Sequence, residues 1–305
     1  MSENNNSNHT NHTNDGDRDS HSRDLTPPKI FSPPTDGEQV ECDGRFYYLG
    51  RLIGQGHFGA VYECTDEWGN ALVAKVLLPQ SRSYEEVRKI WLGELTSLLN
   101  LRHPNITYVY DAFEYRDTFY LVIERCVANL AAWPTVRGDS WLPYVARDVL
   151  QGLDFIHARG YVHKDLHPGN VLVKWTGDSA AAASDAPVLS FKIGDLGISD
   201  LESDLSTTMA DWMFPPEHLD PNRFGSIGQT TDIYHVGLLL LNLLLPSPRF
   251  FTNEDIVSAL PSRIARALPS PYGLPLAAAL IPRVIERTAT ARDFWRAIRR
   301  APSLV

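Results

Sequence analysis

The chain carries Gly54-Gln55-Gly56-His57-Phe58-Gly59-Ala60-Val61, a G-x-G-x-x-G-x-V run. Glycines so spaced let backbone N–H groups approach phosphate oxygens with no Cβ in the way. Dinucleotide-binding turns use a similar spacing, and a flexible hairpin turn would also accommodate it. Context argues against the dinucleotide reading. The run lies between two stretches that alternate as strands do, whereas a dinucleotide fingerprint opens a helix. Val73-Ala74-Lys75 follows, which puts a lysine on the next strand.

Such residues need elements to hold them. "RFYYLGRLIGQG", "GAVYECTD" and "ALVAKVLL" read as strands. "YEEVRKIWLGELTSLLNL" has apolar residues at helical spacing, and "TFYLVIERC" is a strand again. After that the pattern turns helical, with "LPYVARDVLQGLDFIHARG", "TDIYHVGLLLLNLLL" and "TARDFWRAIRRA". A strand-rich first third and a helix-rich remainder predict an α+β fold in two lobes. The boundaries expected are about 41–125 for a small β-rich N-lobe with one helix and about 126–305 for a larger, mainly helical C-lobe. The stretch 177–187 is low in complexity and reads as a surface loop between short strands.

Residues 1–40 differ in composition. They are polar, then proline-rich, with three basic and seven acidic side chains. Such a segment cannot bury enough apolar surface to offset its ordering entropy and is expected to be an unstructured tail. Thr26 and Ser32 each precede a proline. The whole chain of 305 residues has 28 Lys and Arg against 37 Asp and Glu, a net charge of −9. That balance disfavours sequence-independent nucleic-acid binding. The longest apolar run, Gly237 to Leu245, falls well short of the roughly 18 residues a membrane span needs, so it is expected to be a buried helix. Cys42, Cys64 and Cys126 fit neither a disulfide framework nor a zinc site, and no apolar leader begins the chain. A soluble, cytoplasmic protein is expected, in which the Asn-x-Ser/Thr triplets near the start are not glycosylated.

Taken in order, the motifs resemble those of the eukaryotic-type protein kinase domain, serine/threonine-like, from about 45 to 298. The resemblance implies that Ile53, Gly54, Gln55, Gly56, His57, Phe58, Gly59, Ala60 and Val61 cover ATP. Lys75, with Ala74 beside it, would meet the α- and β-phosphates, and Glu94 would be its ion-pair partner. Leu92, Leu95, Leu98 and Leu99 are read as the inward face of the helix that carries Glu94. His163-Lys164-Asp165-Leu166-His167-Pro168-Gly169-Asn170 resembles the H-R-D-L-x-x-x-N catalytic loop. By that resemblance Asp165 accepts or orients the acceptor hydroxyl and Asn170 holds Mg2+, while His163 is a core residue. Asp195-Leu196-Gly197 matches D-F-G, with Asp195 bridging the phosphates through the metal. Hard oxygen donors suit magnesium. Ile123 would back the adenine pocket, and the backbone from Glu124 to Cys126 would hydrogen-bond the purine. Glu217 of Pro-Pro-Glu would pair with Arg287, and Asp232 would brace the catalytic loop. The implied activity is transfer of the γ-phosphoryl group of ATP to protein Ser or Thr hydroxyls.

Several positions depart from the family's pattern. Lys164 replaces the Arg whose bidentate fork holds an activation-loop phosphate. Ser199, Ser203, Ser206, Thr207 and Thr208 are nonetheless available in that loop. His167 stands where Ser/Thr kinases place Lys, and Ala210 where they place Thr. "DLHPGN" also resembles small-molecule phosphotransferases of the aminoglycoside and choline type. Two alternatives therefore stand beside the protein kinase: such a phosphotransferase, and an inactive ATP-binding scaffold.

Overall fold

Alternating residues build one six-stranded antiparallel sheet in the first part of the chain. Its strands are β1 (Gln39–Cys42), β2 (Arg45–Gln55), β3 (Gly59–Asp66), β4 (Ala71–Leu77), β5 (Val109–Tyr115) and β6 (Thr118–Glu124), in the order β1-β2-β3-β4-β6-β5. The computed structural model describes residues 29–56, 59–133, 135–176, 188–197, 200–201 and 212–301. Residues 1–28, His57 and Phe58, the stretch 177–187, and Ser199, Ser203, Ser206, Thr207, Thr208 and Ala210 lie outside the described residues.

The two faces of the sheet are chemically different. Leu49, Cys64, Leu72, Ala74, Val76, Tyr120 and Val122 form an outer core, where Tyr47, Phe113 and Tyr120 stack at 5.5 and 5.1 Å. Residues 29–40, expected to belong to the tail, lie against this layer. Phe31 packs on it, Pro34 and Val40 are buried, and Ser32 exchanges two hydrogen bonds with the buried Thr118. A few apolar anchors thus order a segment whose average composition is polar.

The opposite face receives α1 (Tyr84–Asn100), which starts on a capping box between Ser83 and Glu86. Its buried positions are Val87, Glu94, Ser97 and Leu98. Leu92 and Leu99, read above as inward, are 41% and 52% exposed. The helix turns its Glu94 stripe inward instead, because the groups that neutralise the carboxylate lie there.

The rest of the chain is mainly helical: α2 (Leu142–Ala158), α3 (Pro216–Leu219), α4 (Pro221–Phe224), α5 (Gln229–Leu244), α6 (Asn253–Val257), α7 (Leu260–Ala267), α8 (Gly273–Ala279) and α9 (Ala291–Arg300). α5 is buried on all sides from Thr231 to Leu243, and Leu238 to Leu241 are wholly buried, as a central core helix requires. Short strands β7 (Ala128–Asn129), β9 (Val171–Thr176) and β10 (Val188–Ile193) form a second sheet, and β8 (Tyr161–Val162) pairs with β11 (Asp200–Leu201). Among the described residues no helix is long and apolar enough to cross a membrane.

Candidate active site

A cleft of about 540 Å³ opens between the inner face of the sheet and the β9–β10 hairpin. Three local devices aim side chains into it. β2 and β3 are joined by the glycine run, whose hairpin closes with Gly56 N–H donating to Gly59 O at 2.8 Å. Lys75 sits mid-strand on β4, flanked by Val61 and Leu121 in register. The β9–β10 ladder pairs Val171 with Ile193, so the residues just outside it, Asn170 and Gly194, meet through a 2.9 Å backbone hydrogen bond. That pairing brings Asp195 beside the loop carrying Asp165.

The charged groups form one cluster. Lys75 Nζ donates to Glu94 Oε1 at 2.7 Å and to Asp195 Oδ1 at 2.9 Å. Burial opposes the charge on Lys75, but the Asp195 and Glu94 carboxylates outweigh it and hold the ammonium above the usual lysine range. The Lys75 ammonium in turn holds Asp195 below the usual carboxylate range. Asp165 is different. Burial, helped by the charge on Asp195, pushes it up to about 7. Its Oδ2 accepts from Asn170 Nδ2 at 3.0 Å, which also bonds Asp165 O. Its Oδ1 and Glu94 Oε2 are buried polar atoms with no hydrogen-bond partner among the described residues.

A scaffold fixes the loop. Wholly buried Asp232 on α5 accepts N–H bonds from His163 at 2.9 Å and Lys164 at 2.8 Å, and a third bond joins it to His157 Nε2. Lys164 and Asp195 both have left-handed backbone, φ 67° and 54°. Non-glycine residues persist there only when the surroundings over-determine them. His163 is fully buried, bonds Gly194 O through Nε2 and accepts Asp165 N–H at Nδ1, as a core residue. Glu217 and Arg287 form the expected pair, fully buried at 2.8 Å.

Ile53, Gly54, Val61, Lys75, Glu94, Ile123, Glu124, Cys126, Asn170 and Asp195 all line the cleft. Asp165 is not itself a lining residue but is hydrogen-bonded to Asn170, which is. Gln55 and Gly56 lie on the exposed hairpin, and Ala60 is buried. Ala74 requires a correction. It points to the opposite face, into the outer core, and Val73 lines the cleft in its place. The period of two along β4 puts residue 73, not 74, on the side of Lys75. Leu172 is a further lining residue not anticipated from sequence; it is the half-buried position between Val171 and Val173, both fully buried. The Glu124 side chain is turned aside, ion-paired with Lys192 and Lys174 and accepting Tyr108 N–H.

The sequence matches the family described as "Protein kinase domain" over residues 47–292. The chain belongs to the protein kinase domain family. This kinase domain is 24% identical over 233 residues to mouse serine/threonine-protein kinase PLK2, an alignment covering 74% of the chain and 31% of that protein. It is 28% identical over 215 residues to mouse cyclin-dependent kinase-like 4, covering 67% of the chain and 58% of the relative. Mouse serine/threonine-protein kinase 33 is 26% identical over 231 residues, 72% and 45% respectively. The alignments thus span 31–58% of the length of these relatives.

Proposed function

We propose that this chain is a two-lobed, ATP- and Mg2+-dependent kinase that transfers the γ-phosphoryl group to Ser or Thr hydroxyls of proteins. The observation carrying this is the convergence of Lys75, Glu94, Asp165, Asn170 and Asp195 on one cleft beneath the glycine hairpin. Phosphoryl transfer needs positioning and charge neutralisation more than covalent help, and these residues supply both. Backbone N–H groups of the hairpin would cover the phosphates. Lys75, held by Glu94, would contact the α- and β-phosphates. Asn170 and Asp195 fit Mg2+, which favours one or two side-chain oxygens plus phosphate oxygens. The amide nitrogen of Asn170 is spent on Asp165, so its oxygen is the donor for the cation. A cation held there by Asn170 and Asp195 would supply neutralisation of charge on the phosphates. Asp165 takes the acceptor proton as the new O–P bond forms and the bond to the β-phosphate oxygen breaks, with ADP leaving on that electron pair.

The assignment of Ser or Thr as acceptor is supported by the names of two of these relatives, PLK2 and kinase 33, both serine/threonine-protein kinases. Cys42, Cys64 and Cys126 are free thiols, which suits action in the reducing cytoplasm. The test is intact-protein mass after incubation with ATP and Mg2+, beside Asp165→Asn and with a generic protein acceptor. Phosphate gain by wild type alone, mapped to Ser or Thr, is expected. Transfer only to a small alcohol or amine, or nucleotide binding with no transfer, would refute the reading.

A further inference from the structure

His167 is the residue on the catalytic loop that the family resemblance leaves unexplained. Its ring is folded back onto its own loop. Nδ1 accepts the N–H of Gly169 at 3.0 Å, and Nε2 lies 3.5 Å from Asp165 Oδ1. A Cβ at residue 169 would fall 2.6 Å from His167 Cε1 and 2.9 Å from Nδ1. Histidine and glycine are therefore one unit, because no larger residue at 169 leaves room for the ring. Trp212 closes the other side, with ring centroids 6.0 Å apart.

Two further facts give the arrangement a direction. The Gly169 bond occupies the Nδ1 lone pair, so a neutral ring carries its hydrogen on Nε2, the atom facing Asp165. The atom it faces, Asp165 Oδ1, is buried and accepts no hydrogen bond among the described residues, so the His167 ring at 3.5 Å stands just short of a formed bond to it.

The geometry points to His167 as a positioning residue whose Nε2–H, 3.5 Å from Asp165 Oδ1 and not bonded to it here, closes onto that oxygen when the acceptor is bound and, with Asn170 on Oδ2, fixes the plane of the carboxylate toward the acceptor hydroxyl. This rests on the reading of Asp165 as the group that takes the acceptor proton. A carboxylate accepts at about four lone-pair sites, so both oxygens keep capacity for that proton. His167 cannot take it in turn, since its only lone pair is already bonded. The proton stays on Asp165, and the usual lysine charge is replaced here by a neutral, oriented donor.

The test uses the full chain labelled with 15N at histidine. Long-range 1H–15N spectra, with His167 assigned by its loss in His167→Ala, are expected to show the Nε2–H form. In Asp165→Asn its Nε2 signal should move and its Nδ1 signal stay. A protonated Nδ1, or a spectrum unmoved by Asp165→Asn, would overturn the contact whatever the activity. In the transfer assay His167→Ala should lower kcat about 10- to 100-fold, the worth of one hydrogen bond to a charged group, with KM for ATP within about twofold. Gly169→Ala, which displaces the ring, should do the same, and the double variant should be no worse than His167→Ala. Unchanged kcat in a His167→Ala protein that melts like wild type would overturn the positioning role. Asp165→Asn as active as wild type would instead refute the role of Asp165 as base, while the spectra still decide whether His167 touches it.

Discussion

Replacing Glu217 by Gln should expose what holds the helical part of the domain together. Glu217 and Arg287 meet in a two-pronged pair at 2.8 Å, with both side chains fully buried. Glu217 also accepts from the Thr231 hydroxyl at 2.8 Å, tying α3 to α5. Arg287 donates to the carbonyls of Thr230, Ile281 and Pro282 and lies 4.7 Å from the Tyr234 ring centre. Removing one partner of a buried ion pair costs about 3–5 kcal/mol, because the other charge stays buried without compensation. Three carbonyls still hold the guanidinium, which places the expected loss near the lower end, about 3 kcal/mol. For a domain of roughly 260 residues the unfolding entropy is about 0.5 kcal/mol/K, so Tm should fall by about 5–6 °C.

Differential scanning fluorimetry and urea unfolding would measure this loss, with Arg287→Met and the Glu217→Gln/Arg287→Met double variant completing a cycle. The pairwise coupling should exceed about 1 kcal/mol, as expected for groups in direct contact. The pH dependence has a definite sign. Burial alone would raise the Glu217 carboxyl, but Arg287, with Thr231, outweighs it and holds the group below its usual range. A depressed folded-state value means the contribution is complete above the ordinary carboxyl range and is lost as pH falls through the lower folded value. Glu217→Gln should lack that acid-side loss. A melt within about 2 °C of wild type, or equal acid sensitivity in the two proteins, would refute the reasoning.

Lys75→Met should cut phosphoryl transfer at least about 100-fold in a radiometric assay while the protein stays folded, since it removes the cation shared by Glu94 and Asp195. Chelating divalent ions should abolish phosphate incorporation. Mg2+ should restore it, with Asn170→Ala needing a higher Mg2+ concentration than wild type. Val73→Phe, which fills the cleft, should remove the ATP-induced thermal shift, whereas Ala74→Phe should overpack the outer core and cost about 1–3 kcal/mol in urea unfolding.

Much of this was legible because the residues come in short, ordered runs. The alternation of "GAVYECTD" and "ALVAKVLL" returned as β3 and β4, and the leucine-rich run became the buried α5. Where a reading went astray, the local pattern left a choice to packing. α1 has leucines on several sides, and only the partners of Glu94 decide which stripe turns inward. β5 has no strong turn signal before β6. The connecting Arg116 and Asp117 both adopt left-handed backbone, which Asn-Gly would have announced. Residues 29–40 look like a tail in composition, yet Phe31 and Val40 find apolar surface on the outer core, and Pro34 is buried.

The sequence by itself determined which groups are present, their order, and the periods that make strands and helices. Those are local properties, set by side-chain type and backbone geometry over a few residues. Only the tertiary structure decided that Lys75 reaches Glu94 and Asp195 together, across separations of 19 and 120 residues. It also decided that Ala74 faces away from the cleft, and that Asp165 is buried enough for its carboxyl to rise to about 7. Charge, burial and hydrogen-bond direction depend on distances in space, and those exist only once the sheet, α1 and the β9–β10 hairpin have closed around the cleft.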